Sequence, residues 1–489
     1  MPAKQQYYFP FIKSGLSFET TSSFLHTTFK GNVMTTPEVK KLSIIAVTWP
    51  IFIETLLHFS LRTADTFMIS KVSDEAVAAV GVANQLVMFL FFLFQFVATG
   101  CAIVVAQYLG AKKYGEIRKL TANAISMNFL FGLLIATLVV LFSRQLLGLF
   151  QLEPHLFQEA RVYLMIVGGA LVFQALCVTM SAIIQTHGFT KETMYVSVGM
   201  NILNIIGNYL FIFGAFGVPK LGVPGVAIAT AISQFLAMIA YGLMLYYRVK
   251  LKIEWSELIR WQKERIKKIL SIGIPSSMTI ISYSSSQIVV TAFITLLGTQ
   301  MLATRIYTIN ILFFVMILGI SLGRGSQIII GHLIGAGKMD EAYKQALRNG
   351  RWSILMAMGT TLIIYLLREP LLGLFTSDPE IIYMGATLLL MGFLLEPGRC
   401  LNLIYGATLQ GAGDARYMMI VSVTVIWLFS VPLYYLLGIH WGFGLIGIWI
   451  AFIADEWLRG ILLYGRWKTR KWEQKALVKH EKKEIEETA

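Results

Sequence analysis

The chain has 489 residues, 56% of them hydrophobic and only 14% charged, with a mean hydropathy of +0.67. Soluble proteins carry about 25% charged residues, so this composition lacks the polar surface that water-soluble domains of this total length need. The solvent it suits is lipid, and Cys101, Cys177 and Cys400, all in apolar runs, offer no disulfide framework.

Residues 1–33 are polar and aromatic, with no apolar core of signal-peptide length. The stretch from Met34 leads straight into the first apolar run. Either Met34 is the native start or residues 1–33 form a loose tail, and residues 1–41 are read as an N-terminal tail. Twelve apolar runs follow, at 42–69, 80–107, 122–142, 162–185, 194–214, 223–247, 269–297, 306–334, 352–367, 381–409, 417–437 and 447–465. A membrane-spanning helix needs roughly 20 apolar residues; the run at 352–367 is the shortest. The expected fold class is therefore an all-α polytopic membrane protein with twelve transmembrane helices. Residues 42–247 form an N-lobe of six helices, 248–268 a basic linker, 269–465 a C-lobe of six helices and 466–489 a charged tail.

The net charge of +14 is a topology signal. With the N-terminus inside, the inside segments hold 31 lysines and arginines and the outside loops 6 (Lys71, Arg144, Arg161, Lys220, Arg305 and Arg368); Arg62, Arg324, Arg399 and Arg459 lie within spans. This asymmetry predicts both termini in the cytoplasm of a cell (plasma) membrane protein, with lipid and not nucleic acid as the partner of the basic excess.

The two halves repeat at one offset of 225 residues. Pro50 falls on Pro275, Leu146-Leu147-Gly148-Leu149-Phe150 on Leu371-Leu372-Gly373-Leu374-Phe375, Pro154 on Pro379, Gln185 on Gln410, Gly188 on Gly413 and Gly222 on Gly447. Stretch 100–119 matches 325–344 at 7 of 20 positions. Six helices is an even number, so the repeats are parallel, related by an axis along the membrane normal, as in transporters.

Several motifs in this order resemble the multidrug and toxic compound extrusion (MATE) transporters: Pro50 with Ala64-Asp65-Thr66; Ala78-Ala79-Val80-Gly81; Ala106-Gln107-Tyr108-Leu109-Gly110; Asn201-Ile202-Leu203-Asn204 with Asn208; Gly222-Val223-Pro224-Gly225 through Thr230; and Leu409-Gln410-Gly411-Ala412-Gly413-Asp414. The resemblance covers residues 40–465. It implies two six-helix lobes arranged as a V, working as a monomer. It also implies export of small organic cations or amphipathic compounds in exchange for Na⁺ or H⁺. The motif Glu396-Pro397-Gly398-Arg399-x-x-Asn402 on the tenth span marks a separate branch. The better-known branch has an acid on the seventh span and an Asp where Arg399 stands; this chain has neither.

Charged groups in lipid cost at least ~2.5–3.5 kcal/mol each and need a reason. Asp65 reads as the coupling site, taking a proton or giving its charge to an oxygen cage for Na⁺, or else as an interfacial partner of Arg62. The resemblance adds Asn204, Asn208 and Thr230 to that site; the alternative is that the asparagines glue helices together. Asn201, Asn204 and Asn208 share one helix face. Glu54, His58 and Asp65 share a stripe on the first span, Glu54 one turn beyond the expected hinge at Pro50. Glu54 and His58 form either a proton relay or a neutralised pair. In the C-lobe Glu396, Arg399 and Asn402 are either a cavity group or a buried ion pair, and Ser284-Ser285-Ser286-Gln287 supplies polar lining. Asp455, Glu456 and Arg459 read as a structural cluster, and Arg324 serves either close packing or the cavity.

No Walker A motif and no nucleophile–base constellation occurs, so the chain is read as no enzyme, with no cofactor beyond the coupling ion. The alternative transport reading is a lipid-linked glycan flippase of the related superfamily; twelve spans and few intramembrane arginines count against it.

Overall fold

The computed structural model describes residues 43–70, 73–148, 150 and 152–478, all within one compact unit, Leu42–Ala489. The expectations for residues 1–33 and Met34 lie outside the described residues.

Helices dominate because, in lipid, the backbone must satisfy its own hydrogen bonds; no strand occurs among the described residues. The described residues form twelve long helices in chain order: α1 (Ile44–Ile69), α2 (Asp74–Gly110), α3 (Tyr114–Leu141), α4 (Pro154–Gly169 and Leu171–Thr186), α5 (Thr190–Phe213), α6 (Val223–Tyr247), α7 (Lys263–Thr295), α8 (Thr299–Gly335), α9 (Met339–Leu366), α10 (Pro379–Gly411), α11 (Ala415–His440) and α12 (Gly444–Lys468). Nine of those described are long and apolar enough to cross a membrane, and α4, bent by 43°, is a tenth. The other two, α9 and α12, have 28 and 25 residues but carry more charge, α9 in its first half and α12 in its middle and last turns. Hydropathy places the start of the ninth span at residue 352, whereas α9 begins at Met339. Its first turns are charged, so hydropathy registers only the apolar remainder. The same effect starts α7 at Lys263, inside the expected basic linker. Arg305, assigned from sequence to an outside loop, instead lies two turns inside α8, 6% exposed.

The duplication is visible in the helix bounds. Adding 225 to the bounds of α2, α3 and α4 gives those of α8, α9 and α10. The short helices Ser143–Gly148 and Arg368–Gly373 correspond in the same way. Loop geometry follows: Lys112 and Gly337 take φ of 56° and 75°, Gly188 and Gly413 89° and 93°. The bounds part in the last two pairs. Helix α11 carries two π-helical segments, Val425–Ser430 and Leu436–His440, and runs to His440, while α5 stops at Phe213.

The lobes meet through a pseudo-symmetric seam between backbones. A methyl group on Gly110 would collide with the His332 carbonyl of α8, and one on Gly335 with the Gln107 carbonyl of α2; each pair becomes the other at the 225 offset. Likewise Gly100 abuts Ile269 and Gly273, and Gly325 abuts Ile44 and Thr48. Gly331 faces Ala106, its own repeat equivalent, at 2.7 Å from a built Cβ. Reciprocal contacts of this kind define an isologous two-fold interface, whose axis passes between Ala106 and Gly331. The small residues let the helices approach to backbone contact.

The seam lies toward the end of the bundle that carries the loops after α2 and α8, the basic end. There the Gln107 carboxamide donates to the Gly411 carbonyl (2.8 Å) and accepts from the Leu477 backbone N–H (2.7 Å). This ties the segment after α12 to both lobes. That segment is held in turn by Trp472 stacked on Trp467 at 4.2 Å. Each lobe has its own apolar core, one around Phe94, Tyr163 and Leu164, the other around Leu388, Tyr434 and Trp449.

Candidate functional site

In the N-lobe the last turn of α1 meets α5 and α6. Asp65 is 8% exposed, and Asn204 and Asn208 are fully buried. Asn208 Nδ2 donates to Asp65 Oδ1 (2.6 Å) and to Asn204 Oδ1 (3.0 Å), and Asn204 Nδ2 donates to Thr230 Oγ1 (3.1 Å). The four residues proposed from sequence as a coupling site therefore form one continuous chain. Asn204 and Asn208 are one turn apart and face the same way. Asn201 leaves the stripe: its Nδ2 donates to the Ser197 carbonyl of its own helix at 2.6 Å. The side chain of Arg62 lies outside the described ones, so the pairing with Asp65 does too.

Asn208 Oδ1 is buried and, among the described residues, accepts no hydrogen bond. A polar atom in that state costs about 1–3 kcal/mol. It is also an available oxygen. With the Asp65 carboxylate, Asn204 Oδ1 and Thr230 Oγ1, it makes a set of hard oxygens with a single negative charge, suited to a proton or an alkali cation. Among the described residues no group of three His, Cys, Asp or Glu is placed to hold a metal ion.

Glu54 is buried nearer the seam. Its carboxylate accepts from Ser181 Oγ (3.2 Å) and Gln185 Nε2 (2.9 Å) of α4 and from Thr193 Oγ1 (3.0 Å) of α5. His58 is exposed one turn further along; the Glu54 oxygens are taken by these three neutral donors. The partners Ser181, Gln185 and Thr193 were missed; only Gln185, as a repeat marker matching Gln410, gave a signal. Pro50 lies within a continuous α1, and Val47 and Ile51 on either side of it pack on Ile328 of α8.

In the C-lobe, two groups read separately prove to be one. Arg399 Nη1 donates to Glu396 Oε1 (2.6 Å), Arg399 Nε lies 3.5 Å from Glu456 Oε1, and Asn402 Nδ2 donates to Glu456 Oε2 (2.7 Å). Arg459 binds Asp455 through Nε (3.0 Å) and Nη2 and reaches Glu456 Oε1 at 3.4 Å; Ser430 Oγ donates to Asp455 Oδ1 (2.5 Å). The span-ten motif and the span-twelve cluster thus interlock α10, α11 and α12. Sequence spacing pairs residues within a helix and does not show which helices are neighbours.

Beside this network lies a cavity of about 430 Å³ with Tyr283, Gln287, Arg305, Phe313, Arg399 and Trp449 in its wall. Arg399 reaches the cavity, with Glu396 sealed behind it at 1% exposure. Arg305 donates through Nη1 to Thr291 Oγ1 (2.6 Å) and through Nη2 to Gln287 Oε1 (3.0 Å). Ser286 turns back to the Tyr283 carbonyl (2.8 Å), so the polar stretch on α7 contributes chiefly Gln287.

Comparison with known proteins places this geometry in context. The MatE family model matches residues 50–210 and 275–436, once in each repeat. An uncharacterised transporter, YisQ of Bacillus subtilis, is 42% identical over 92% of this chain and 99% of its own length. A probable multidrug resistance protein NorM of Thermotoga maritima is 27% identical over 91% of this chain and 96% of its own. A crystal structure of a MATE protein in the bent conformation has the same fold, with a TM-score of 0.81 over 88% of this chain and 96% of that one at 18% identity.

Proposed function

The chain belongs to the MatE family of membrane transporters, and from that premise we propose that it is a secondary active exporter of cationic or amphipathic organic compounds. Export is driven by exchange for H⁺ or Na⁺ at Asp65. The observation that carries this reading is the buried chain from Asp65 through Asn208 and Asn204 to Thr230. A charge in the bilayer costs at least ~2.5–3.5 kcal/mol, and a hydrogen bond to a charged group returns about 1.5–3 kcal/mol. These are of similar size, so gaining or losing one positive charge is a small free-energy step, as reversible exchange requires.

The neighbours give the step a structural consequence. A protonated Asp65 becomes a donor, and Asn208 Oδ1 is an acceptor without a partner among the described residues. A sodium ion uses the same oxygen. Either event rearranges the contacts between α1 and α5. Since the first half of α1 packs on α8 around Val47, Ile51 and Gly325, a change at its far end transmits toward the seam, with Pro50 as the bending point. Coupling then follows from the two states of the seam binding ion and substrate with different affinity. With Arg305 placed inside α8, the distribution of basic residues is 31 inside to 5 in the outside loops, which supports both termini in the cytoplasm of a cell membrane. The protein works as a monomer, since the paired lobes already supply the two-fold interface. The flippase alternative finds no support among the comparisons.

The test is efflux of a fluorescent cationic dye from proteoliposomes under a pH gradient and a Na⁺ gradient imposed separately, with wild type and Asp65→Asn. Efflux under one gradient, lost in the variant, supports the reading and names the ion. Wild-type efflux in Asp65→Asn removes this residue from the coupling step.

A further inference from the structure

We propose that the C-lobe cavity is an anion subsite that holds the carboxylate or sulfonate end of a flat amphipathic molecule against Arg305. Apart from Arg324, which lies beside the seam glycine Gly325 on α8, three arginines lie buried or nearly so in this lobe. Arg399 and Arg459 are each paired with acids. Arg305 makes no ion pair among the described residues; its two terminal nitrogens are spent on the neutral oxygens of Thr291 and Gln287. Its Nε is buried without an acceptor, and so is Gln287 Nε2 beside it. One wall of the cavity is therefore formed by a full positive charge held on neutral oxygens, with two N–H donors buried behind it, and a negatively charged, acceptor-rich group is its complement. No acid of the neighbouring network pairs with Arg305.

The remaining wall defines the rest of the ligand. Tyr283, Phe313 and Trp449 line a space of about 430 Å³, within the range of small-molecule sites. Aromatic faces suit a planar apolar body. The structure thus favours an aromatic acid, or a zwitterion that points its anionic end at Arg305. A lipid headgroup offers the same oxyanion chemistry without the flat body.

This inference deepens the exporter reading and rests on it for the ligand being cargo, but binding is measured without any gradient. The experiment uses full-length protein in phosphatidylcholine nanodiscs and equilibrium binding of radiolabelled naphthalene-2-sulfonate. The competitors are naphthalene-2-methanol and (2-naphthylmethyl)trimethylammonium. Arg305→Gln is expected to weaken sulfonate binding by about ten- to a hundredfold, Arg305→Lys to restore part of it, and the neutral alcohol to bind both alike. Gln287→Glu keeps the arginine but supplies an internal acid; it is expected to abolish sulfonate binding and to favour the ammonium probe. Adding phosphatidylglycerol to the disc is expected to leave sulfonate binding unchanged. The proposal is overturned if Arg305→Gln or Gln287→Glu binds sulfonate like wild type, if the ammonium probe competes equally in wild type, or if phosphatidylglycerol displaces the sulfonate. Those failures leave the exporter reading standing when Asp65-dependent efflux persists. Loss of Asp65 dependence, in turn, leaves the binding result untouched.

Discussion

In the N-lobe the charge at the far end from the seam is one carboxylate, Asp65, set among neutral amides and a hydroxyl. In the C-lobe five charged side chains share one network across α10 and α12, and a sixth, Arg305, stands at a cavity on neutral partners. The scaffold beneath them is repeated, yet the charges are not. At the 225 offset Asp65 corresponds to Val290 and Arg305 to Val80, both buried in apolar cores. Duplication has kept what close packing demands, glycine at the seam and helix length, and left the polar positions free to diverge. A lone charge on neutral neighbours is suited to exchange; a cross-braced network is suited to holding helices together.

That contrast can be broken by measurement. The largest effect on stability is expected in the network. Arg459→Met leaves Asp455 and Glu456 short of a counter-charge in lipid and should cost about 3–5 kcal/mol, read as a drop in thermal unfolding monitored by thiol labelling of the buried Cys101 and Cys400. Asp65→Asn should change unfolding far less while reducing gradient-driven efflux to the rate of protein-free liposomes; equal destabilisation by the two variants would erase the distinction. Next, Asn208→Ala should cost about 1.5–3 kcal/mol with Asp65 present and much less in the Asp65→Asn background. A double-mutant cycle reads that coupling, and strict additivity would mean the two side chains do not act together. On the axis, Gly331→Val should cost about 1–3 kcal/mol by overpacking against Ala106, and spin labels on α2 and α8 should show the seam loosened at the basic end. The smallest effect belongs to Asn201→Ala, about 0.5 kcal/mol with efflux unchanged, because its amide serves only its own helix.

The N-lobe site was readable in outline. A conspicuous acid in an apolar run, two asparagines a turn apart, and the family resemblance together named the four residues that meet. The Glu54 group was not readable, since Ser181, Gln185 and Thr193 are common residues on helices far away in the chain. Arg305 was misplaced for a related reason: the apolar run begins only at residue 306, although the helix begins at Thr299 and its neighbour α7 supplies oxygens to the guanidinium. The unity of the C-lobe network was hidden because spacing along one helix reports only intrahelical pairs.

By itself the sequence determined the solvent, the number of spans and the duplication. Those properties depend on composition and on periodicity along the chain, and lipid leaves the backbone little alternative to helix. Only the tertiary structure decided which polar groups meet: Asn208 turned to Asp65 and Asn201 turned away, Arg399 joined to Glu456, and Arg305 bound to the neutral oxygens of Thr291 and Gln287. Such pairings depend on how each helix is rotated and which helix lies beside it, and these are set by packing of small residues at the seam and large ones in the lobe cores.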